Sequence, residues 1–254
     1  MKHFFRALKV DLRRSVLSST FLITVLLLLA MQFMSVFADV AQMSSFKNWL
    51  YYLNAANTRG SSDMVLLIGC ICYAWSYCRD RDCGFYDQVV PRVGFRAFAL
   101  SRLVSTALSA FLAGVLSICF FTLFLLSQGH TGEPFGDFEG QPIYLGLVSA
   151  GRTDLFFLFR CVHTGLMCGM AATSGLAVSA FVRNTHVATC VPYLFLYAIS
   201  RLGDLIESTW LAPFKLLFGQ LFRNDIQNFL FVSFVMLDVI AVAGYVFYRR
   251  AERR

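Results

Sequence analysis

Long apolar runs are the feature that most constrains how this chain can fold. They cover residues 16–36, 64–78, 99–126, 155–182, 187–206 and 229–248. A helix that crosses a bilayer needs about 20 mostly apolar residues, and several of these runs approach that length. Only 15% of the 254 residues are charged, whereas a soluble domain usually has about 25%. The sequence therefore predicts an all-α integral membrane protein in which residues 1–254 form one transmembrane domain with six spans.

The basic residues predict the orientation of these spans, because cytoplasmic segments are enriched in Lys and Arg. Of the 22 basic residues, 15 belong to the two chain ends, to the segments after the second and fourth runs, or to the start of the third run. These are Lys2, Arg6, Lys9, Arg13, Arg14, Arg79, Arg81, Arg92, Arg96, Arg102, Arg183, Arg249, Arg250, Arg253 and Arg254. We therefore expect both termini and the segment 79–98 to be cytoplasmic.

Residues 1–14 precede the first run and have helical periodicity. Phe4, Phe5, Leu8 and Leu12 fall on one side of a helix, and the basic residues fall on the other. This pattern predicts an amphipathic helix in the cytoplasmic interface. The alternative is a charged lead-in that only orients the first span.

Several kinds of chemistry have no signature in the sequence. It contains no GxxxxGK[ST], GxSxG or HExxH motif, so we expect no ATP site of the P-loop type and no catalytic site on this chain. Cys70, Cys72, Cys119, Cys161, Cys168 and Cys190 lie inside apolar runs, and Cys78 and Cys83 flank the charged segment. This argues against a disulfide framework, and no zinc-site spacing is present. The net charge of +7 reflects basic residues beside the apolar runs, so we expect a lipid bilayer as the partner and no nucleic acid, metal or cofactor.

Three polar residues inside the runs are candidates for a transport pathway. A carboxylate at the depth of Asp238 costs at least about 2.5 kcal/mol on insertion scales, so it is predicted either to contact a substrate or proton or to hydrogen-bond to a neighbouring helix. Arg160 and His163 are predicted either to line an exit path or, respectively, to reach the headgroups and to make a helix contact. Gly165, Gly169 and Thr173 form a small-residue face that is typical of helix packing.

A dense charged segment, "RDRDCGFYDQVVPR", separates the second and third runs. Orienting a span requires Arg or Lys but not the three aspartates found here. Phe85, Val89 and Val90 are predicted to form an apolar ridge surrounded by charges, as a docking contact requires. Asp80 and Arg81 are expected to lie in water, where an ion pair is worth less than about 1 kcal/mol. The alternative is a solvated loop that only obeys the orientation rule.

The stretch 79–102 resembles the loop between the second and third spans of type-2 ABC exporter permeases. The family's loop has, in this order, an acidic–basic pair, a glycine, an apolar pair, a proline with a basic residue, and a basic residue that opens the next span. The same order is found here. In this chain they are Asp80 with Arg81, Gly84, Val89 with Val90, Pro91 with Arg92, and Arg102. Phe85 stands where the family often has a small hydroxyl residue. The six-span layout with cytoplasmic ends and the lead-in helix also match.

The resemblance implies a function for the whole chain. The chain would be the permease subunit of an ABC exporter in a bacterial plasma membrane, pairing with a second permease subunit. Separate ATPase subunits would bind the ATP and push on a coupling loop at 79–98. The alternatives are an accessory membrane protein of the same fold, such as an immunity or assembly factor, and an intramembrane enzyme that uses Asp238, His163 or a cysteine.

Overall fold

The computed structural model describes residues 2–42, 52–53, 56, 61–127, 144–206, 213–219, 221–222 and 224–252. Within these ranges every regular element is a helix, and no strand occurs. The helices are α1 (Lys2–Val16), α2 (Ser19–Gln42), α3 (Ser61–Ile71), α4 (Ser76–Asp82), α5 (Phe85–Val93), α6 (Phe95–Ser127), α7 (Leu145–Ser149), α8 (Thr153–Ser179), α9 (Thr185–Leu205), α10 (Pro213–Phe218) and α11 (Asp225–Glu252). The prediction of an all-α protein is confirmed for this part of the chain.

Four of the described helices are long and apolar enough to cross a membrane. They are α2 over Ser19–Phe37, α6, α8 and α11, which correspond to the first, third, fourth and sixth predicted spans. The fifth predicted span forms α9, but its 21 residues include Pro192, Arg201 and Asp204, which make it less apolar. The second predicted span, 64–78, is not one continuous helix.

The break in the second predicted span lies at residues 72–75. The helix α3 ends at Ile71, and α4 begins only at Ser76. Between them Tyr73 has a φ of +62°, which is an uncommon conformation for a bulky residue. The Tyr73 hydroxyl accepts a hydrogen bond from Arg102, so a contact with a distant residue stabilises the turn.

The segment 79–98, predicted as a loop, is also mostly helical. It contains the end of α4, all of α5 and the start of α6. Gly84 and Gly94 separate these helices with φ values of +67° and +86°, a region that glycine enters without steric cost. Apolar residues at positions 85, 86, 89, 90 and 93 give α5 an amphipathic pattern. The loop prediction was therefore wrong.

The helix α8 lies at the centre of the bundle. In its most apolar stretch 67% of the residues are buried, against 22% for α11, and it packs against α3, α6, α9 and α11. A Cβ on Gly114 of α6 would lie 2.9 Å from the carbonyl oxygen of Thr164, and one on Gly165 would lie 2.7 Å from the ring of Phe111. Glycine is therefore needed where α6 and α8 cross, as the small-residue pattern predicted.

The bundle has two distinguishable ends. At one end, aromatic and small residues of α4, α6, α8 and α11 form a cluster that includes Tyr77, Phe98, Leu176 and Phe247. The helix α1 packs against the start of α6 at this same end. The N-terminal helix, the charged segment and the C-terminal end of α11 thus lie together.

Candidate functional site

The charged segment is anchored to the bundle through Asp80. This residue lies in α4, and only 3% of its surface is exposed. Its carboxylate is paired with the guanidinium of Arg102, which is itself fully buried. The other carboxylate oxygen accepts a hydrogen bond from Nη2 of Arg14 at 3.2 Å. The prediction that Asp80 lies in water was therefore wrong.

Arg102 is the centre of this network. It lies near the start of α6, where it contacts both Asp80 and Asp11. Its Nη1 is 3.5 Å from Oδ1 of Asp11 and donates a hydrogen bond to the hydroxyl of Tyr73. The guanidinium also lies 5.2 Å from the ring centroid of Tyr73 and 5.4 Å from that of Phe98, within the range of cation–π attraction.

Asp11 brings the N-terminal helix into the same network. It is buried on the inward side of α1, and its Oδ2 accepts a hydrogen bond of 2.8 Å from the hydroxyl of Ser101. Two carboxylates and two guanidiniums thus meet where α1, α4 and α6 join, and their charges balance. Separating buried charges that are paired in this way is costly, because each loses its counter-charge away from water. We call Asp11, Arg14, Asp80 and Arg102 the ion network.

Four residues of the ion network and its surroundings were not predicted as site residues from the sequence: Asp11, Arg14, Tyr73 and Ser101. A signal for Asp11 was present, because it is the only acidic residue among the first fourteen. Helical spacing places it on the same side of α1 as Phe4 and Leu8. A carboxylate on the apolar side of an interfacial helix indicates a partner inside the protein.

The apolar ridge predicted on the charged segment packs mainly against the chain itself. Val89 and Val90 lie against the cluster around Tyr77 and Phe98, and the guanidinium of Arg14 lies 4.7 Å from the ring centroid of Phe85. None of the three is fully exposed. The side of α5 that faces away from the bundle, which we call the outward surface, bears the exposed residues Asp87, Gln88, Pro91 and Arg92. It is therefore mostly polar.

An open cleft of about 740 Å³ lies beside the outward surface. The residues that line it are Tyr77, Arg81, Asp82, Tyr86, Asp87, Phe181 and Arg183. Burial and the neighbouring carboxylate of Asp87 raise the pKa of Tyr86, so its phenol stays protonated and can donate a hydrogen bond. The cleft therefore offers both charge signs and aromatic surface, which suits contact with another protein.

Two of the predicted pathway residues lie at the other end of the bundle. Arg160 and His163 are buried in α8, with 2% and 3% of their surfaces exposed. The hydroxyl of Tyr144 is 3.0 Å from Nδ1 of His163, and Arg160 lies within 6 Å of the ring centroids of Tyr144 and Phe156. The side chain of Arg160 is thus packed against aromatic rings and is not exposed on the surface of the bundle. A role for either residue in a pathway stays a prediction.

The third predicted pathway residue is in a different place. Asp238 lies on the exposed side of α11 and makes no hydrogen bond or ion pair with any residue in the described part of the chain. The structure does not bring it together with Arg160 and His163, which are buried in α8. The predicted hydrogen bond from Asp238 to a neighbouring helix is likewise not found among the described residues.

No metal site is visible in the described ranges, where no three His, Cys, Asp or Glu side chains come together. All eight cysteines are free.

Fold and site define the class of protein: an all-α chain with four helices that indicate a membrane protein, and with a buried ion network at one end. No family model, curated protein or solved structure matches the chain. Its function is therefore inferred from its sequence and this geometry.

Proposed function

We propose that this chain is the permease subunit of an ABC exporter, forming a substrate pathway as a dimer and coupling to separate ATPase subunits. The observation that carries the proposal is the ion network, which ties the charged segment 79–98 to α1 and α6. In such an exporter the ATPase moves against a cytoplasmic contact, and that motion has to reach the spans.

The ion network gives this motion a physical route. A displacement of α4 would pull Asp80 away from Arg102 unless α6 moved as well, and separating the buried pair is costly. The helices α1, α4 and the start of α6 therefore move together. A joint of this kind supports rigid-body rocking of helices, which is one of the usual forms of a switching transition.

The outward surface of the charged segment supplies the contact with the ATPase. Asp87 and Arg92 are exposed on α5, and the cleft beside them contains Arg81, Asp82 and Arg183. The sequence has no P-loop of its own, so ATP binding belongs to the partner. We therefore assign the contact with the ATPase to these exposed charged residues and not to the apolar ridge.

The proposed topology has six spans with both termini in the cytoplasm of a bacterial cell, embedded in the plasma membrane. The gathering of α1, the charged segment and the end of α11 at one end of the bundle supports it, because these parts contain most of the basic residues. The segment containing α3 and α4 would be the second span, interrupted at Tyr73, and α9 would be the fifth.

The test uses a double charge reversal on the outward surface, Asp87→Arg with Arg92→Glu. Both side chains are exposed, so the permease should stay folded and monodisperse. Loss of a docking contact worth about 2 kcal/mol would weaken ATPase binding roughly 30-fold. The measurements are co-purification with a co-expressed ABC ATPase subunit from the same organism and the ATPase rate of the reconstituted complex relative to that of the ATPase alone.

The matched control is Arg152→Glu with Asp154→Arg. These residues are also exposed, but they lie at the start of α8, at the opposite end of the bundle. The control should bind and stimulate the ATPase as the wild type does. Full binding by the Asp87/Arg92 variant would contradict the proposal. A complex that forms but never changes the ATPase rate would favour the accessory membrane protein.

A further inference from the structure

The outer side of α11 is an unusually open surface for a spanning helix. Only 22% of its most apolar stretch is buried. Met236, Ala243 and Phe247 point into the bundle. The opposite side bears the exposed residues Gln227, Phe234, Asp238, Ala241 and Tyr245. Their spacing of seven, four, three and four residues places them on one stripe of the helix, which we call the outer stripe.

Asp238 lies close to the middle of this stripe and of the helix. It is the fourteenth of the 28 residues of α11, in a segment with a mean hydropathy of 2.3. A carboxyl group at this depth is costly in lipid and usually has a polar partner. None of the described residues supplies one, so the partner has to come from outside the described chain.

We infer that the outer stripe is an interface between two copies of this chain, with the two Asp238 carboxyl groups meeting across a two-fold axis. The axis runs along the membrane normal, so the second copy brings its own Asp238 to the same depth by symmetry. Two facing carboxyl groups hydrogen-bond to each other when one is protonated, because the protonated group donates and the other accepts. A helix of an unrelated protein would satisfy Asp238 only if it had a hydrogen-bond donor at the same depth in the membrane.

The exposed side of α2 in a second copy fits Asp238 less well than α11 does. The exposed large side chains that the structure describes on α2 are all apolar: Leu22, Ile23, Leu26, Leu27, Met34 and Phe37. None of these can donate a hydrogen bond to a carboxylate. The pairing of α11 with α11 therefore satisfies Asp238, whereas the pairing of α11 with α2 does not.

The rest of the outer stripe is compatible with close helix packing. Ala241 follows Asp238 by three residues, and a small side chain there lets two helix backbones approach. Phe234 and Tyr245 flank this point with 70% and 59% of their surfaces exposed, so they supply apolar area on both sides. The spacing of four and three residues is that of left-handed crossings, which are common among membrane helices.

Both the proposed function and the interface at the outer stripe involve a second permease chain, and they have nothing else in common. It requires that α11 crosses the membrane, but it does not require an ATPase partner. The experiment below measures association of the chain with itself in the absence of any ATPase, so the two proposals fail separately.

The first test is oxidative cross-linking in membranes of Ala241→Cys, in a chain whose eight native cysteines are replaced. We expect a disulfide-linked dimer of twice the 28.6 kDa chain mass, because identical residues beside the axis come within the range that a disulfide spans. The control, Ala30→Cys, places the thiol on the exposed side of α2 and should give no dimer. Absence of the Ala241→Cys dimer, or an adduct with a different protein instead, would overturn the inference.

The second test keeps the native cysteines and changes Asp238 alone. Asp238→Leu removes the polar group, and its dimer fraction in lipid nanodiscs, read by native mass spectrometry, should fall at least tenfold. Asp238→Asn retains a side chain that both donates and accepts, so it should dimerise as the wild type does. If the leucine variant dimerises as fully as the wild type, Asp238 does not hold two copies together and the inference is wrong.

Discussion

Replacing Asp80 by Asn would leave the buried guanidinium of Arg102 with one counter-charge fewer. Breaking a buried ion pair by removing one partner costs about 3–5 kcal/mol, because the remaining charge stays desolvated. We expect the free energy of unfolding of the Asp80→Asn variant to fall by about this amount in a denaturant titration in mixed micelles. An exposed ion pair would lower the free energy of unfolding by less than about 1 kcal/mol.

Asp82 provides the control for this measurement. It is two residues away, in the same helix, and is exposed. Asp82→Asn makes the same chemical change outside the ion network, and its effect should stay within about 0.5 kcal/mol. Equal effects of the two substitutions would mean that Asp80 is solvated.

The burial of Asp80 illustrates which part of the site was not predictable from the sequence. The abundance of Arg in this segment indicates a side of the membrane, and the aspartates indicate a more specific use. Neither shows which carboxylate is buried, because that depends on Arg102, 22 residues later, and on Arg14, 66 residues earlier. The sequence singled out the charged segment, but it did not predict that Arg102 and Arg14 bind Asp80 and anchor the segment to the bundle.

At the scale of elements, the crossing of α6 and α8 should be the least tolerant of added volume. A Cβ on Gly114 would lie 2.9 Å from the carbonyl oxygen of Thr164 and 3.0 Å from the Cα of Gly165. Because these are backbone atoms, the helices have to separate, and overpacking of this kind costs about 1–3 kcal/mol. We expect Gly114→Ala to lower the unfolding free energy by that amount in the same titration.

The matched variant for this prediction is Ala30→Val. It also enlarges a small residue in an apolar helix, but Ala30 lies on the exposed side of α2. Its stability should be close to that of the wild type. A Gly114→Ala variant as stable as Ala30→Val would show that the two helices do not cross as closely as described.

The positions of the long helices were largely predictable, because a helix that spans a bilayer needs a long apolar run and the run marks where the helix lies. The runs 99–126 and 155–182 became α6 (Phe95–Ser127) and α8 (Thr153–Ser179). The interruption at Tyr73 was not predictable, because a tyrosine with positive φ is held there by tertiary contacts. The helical form of 79–98 was missed because charge density was read as a loop, although its apolar spacing was that of a helix.

For the whole molecule, the proposed topology places the exposed Cys83 in the cytoplasm. A membrane-impermeant maleimide should therefore label it in inside-out vesicles but not in intact cells. The other exposed cysteine, Cys190, is replaced by Ala so that the signal belongs to Cys83 alone. In a chain without either thiol, Arg152→Cys should show the reverse pattern. Labelling of Cys83 from outside intact cells would invert the topology.

The long separation between Asp11 and its partners has a consequence for how the chain is made. Ser101, which binds Asp11, follows it by 90 residues. At a synthesis rate of about 5–20 residues per second, Asp11 waits about 5–20 s on the ribosome before Ser101 and Arg102 emerge. During that interval the apolar side of α1 cannot pack against the start of α6, which has not yet been synthesised. The predicted interfacial position of α1 would give that side a lipid contact in the meantime, and the ion network forms only once α6 has emerged.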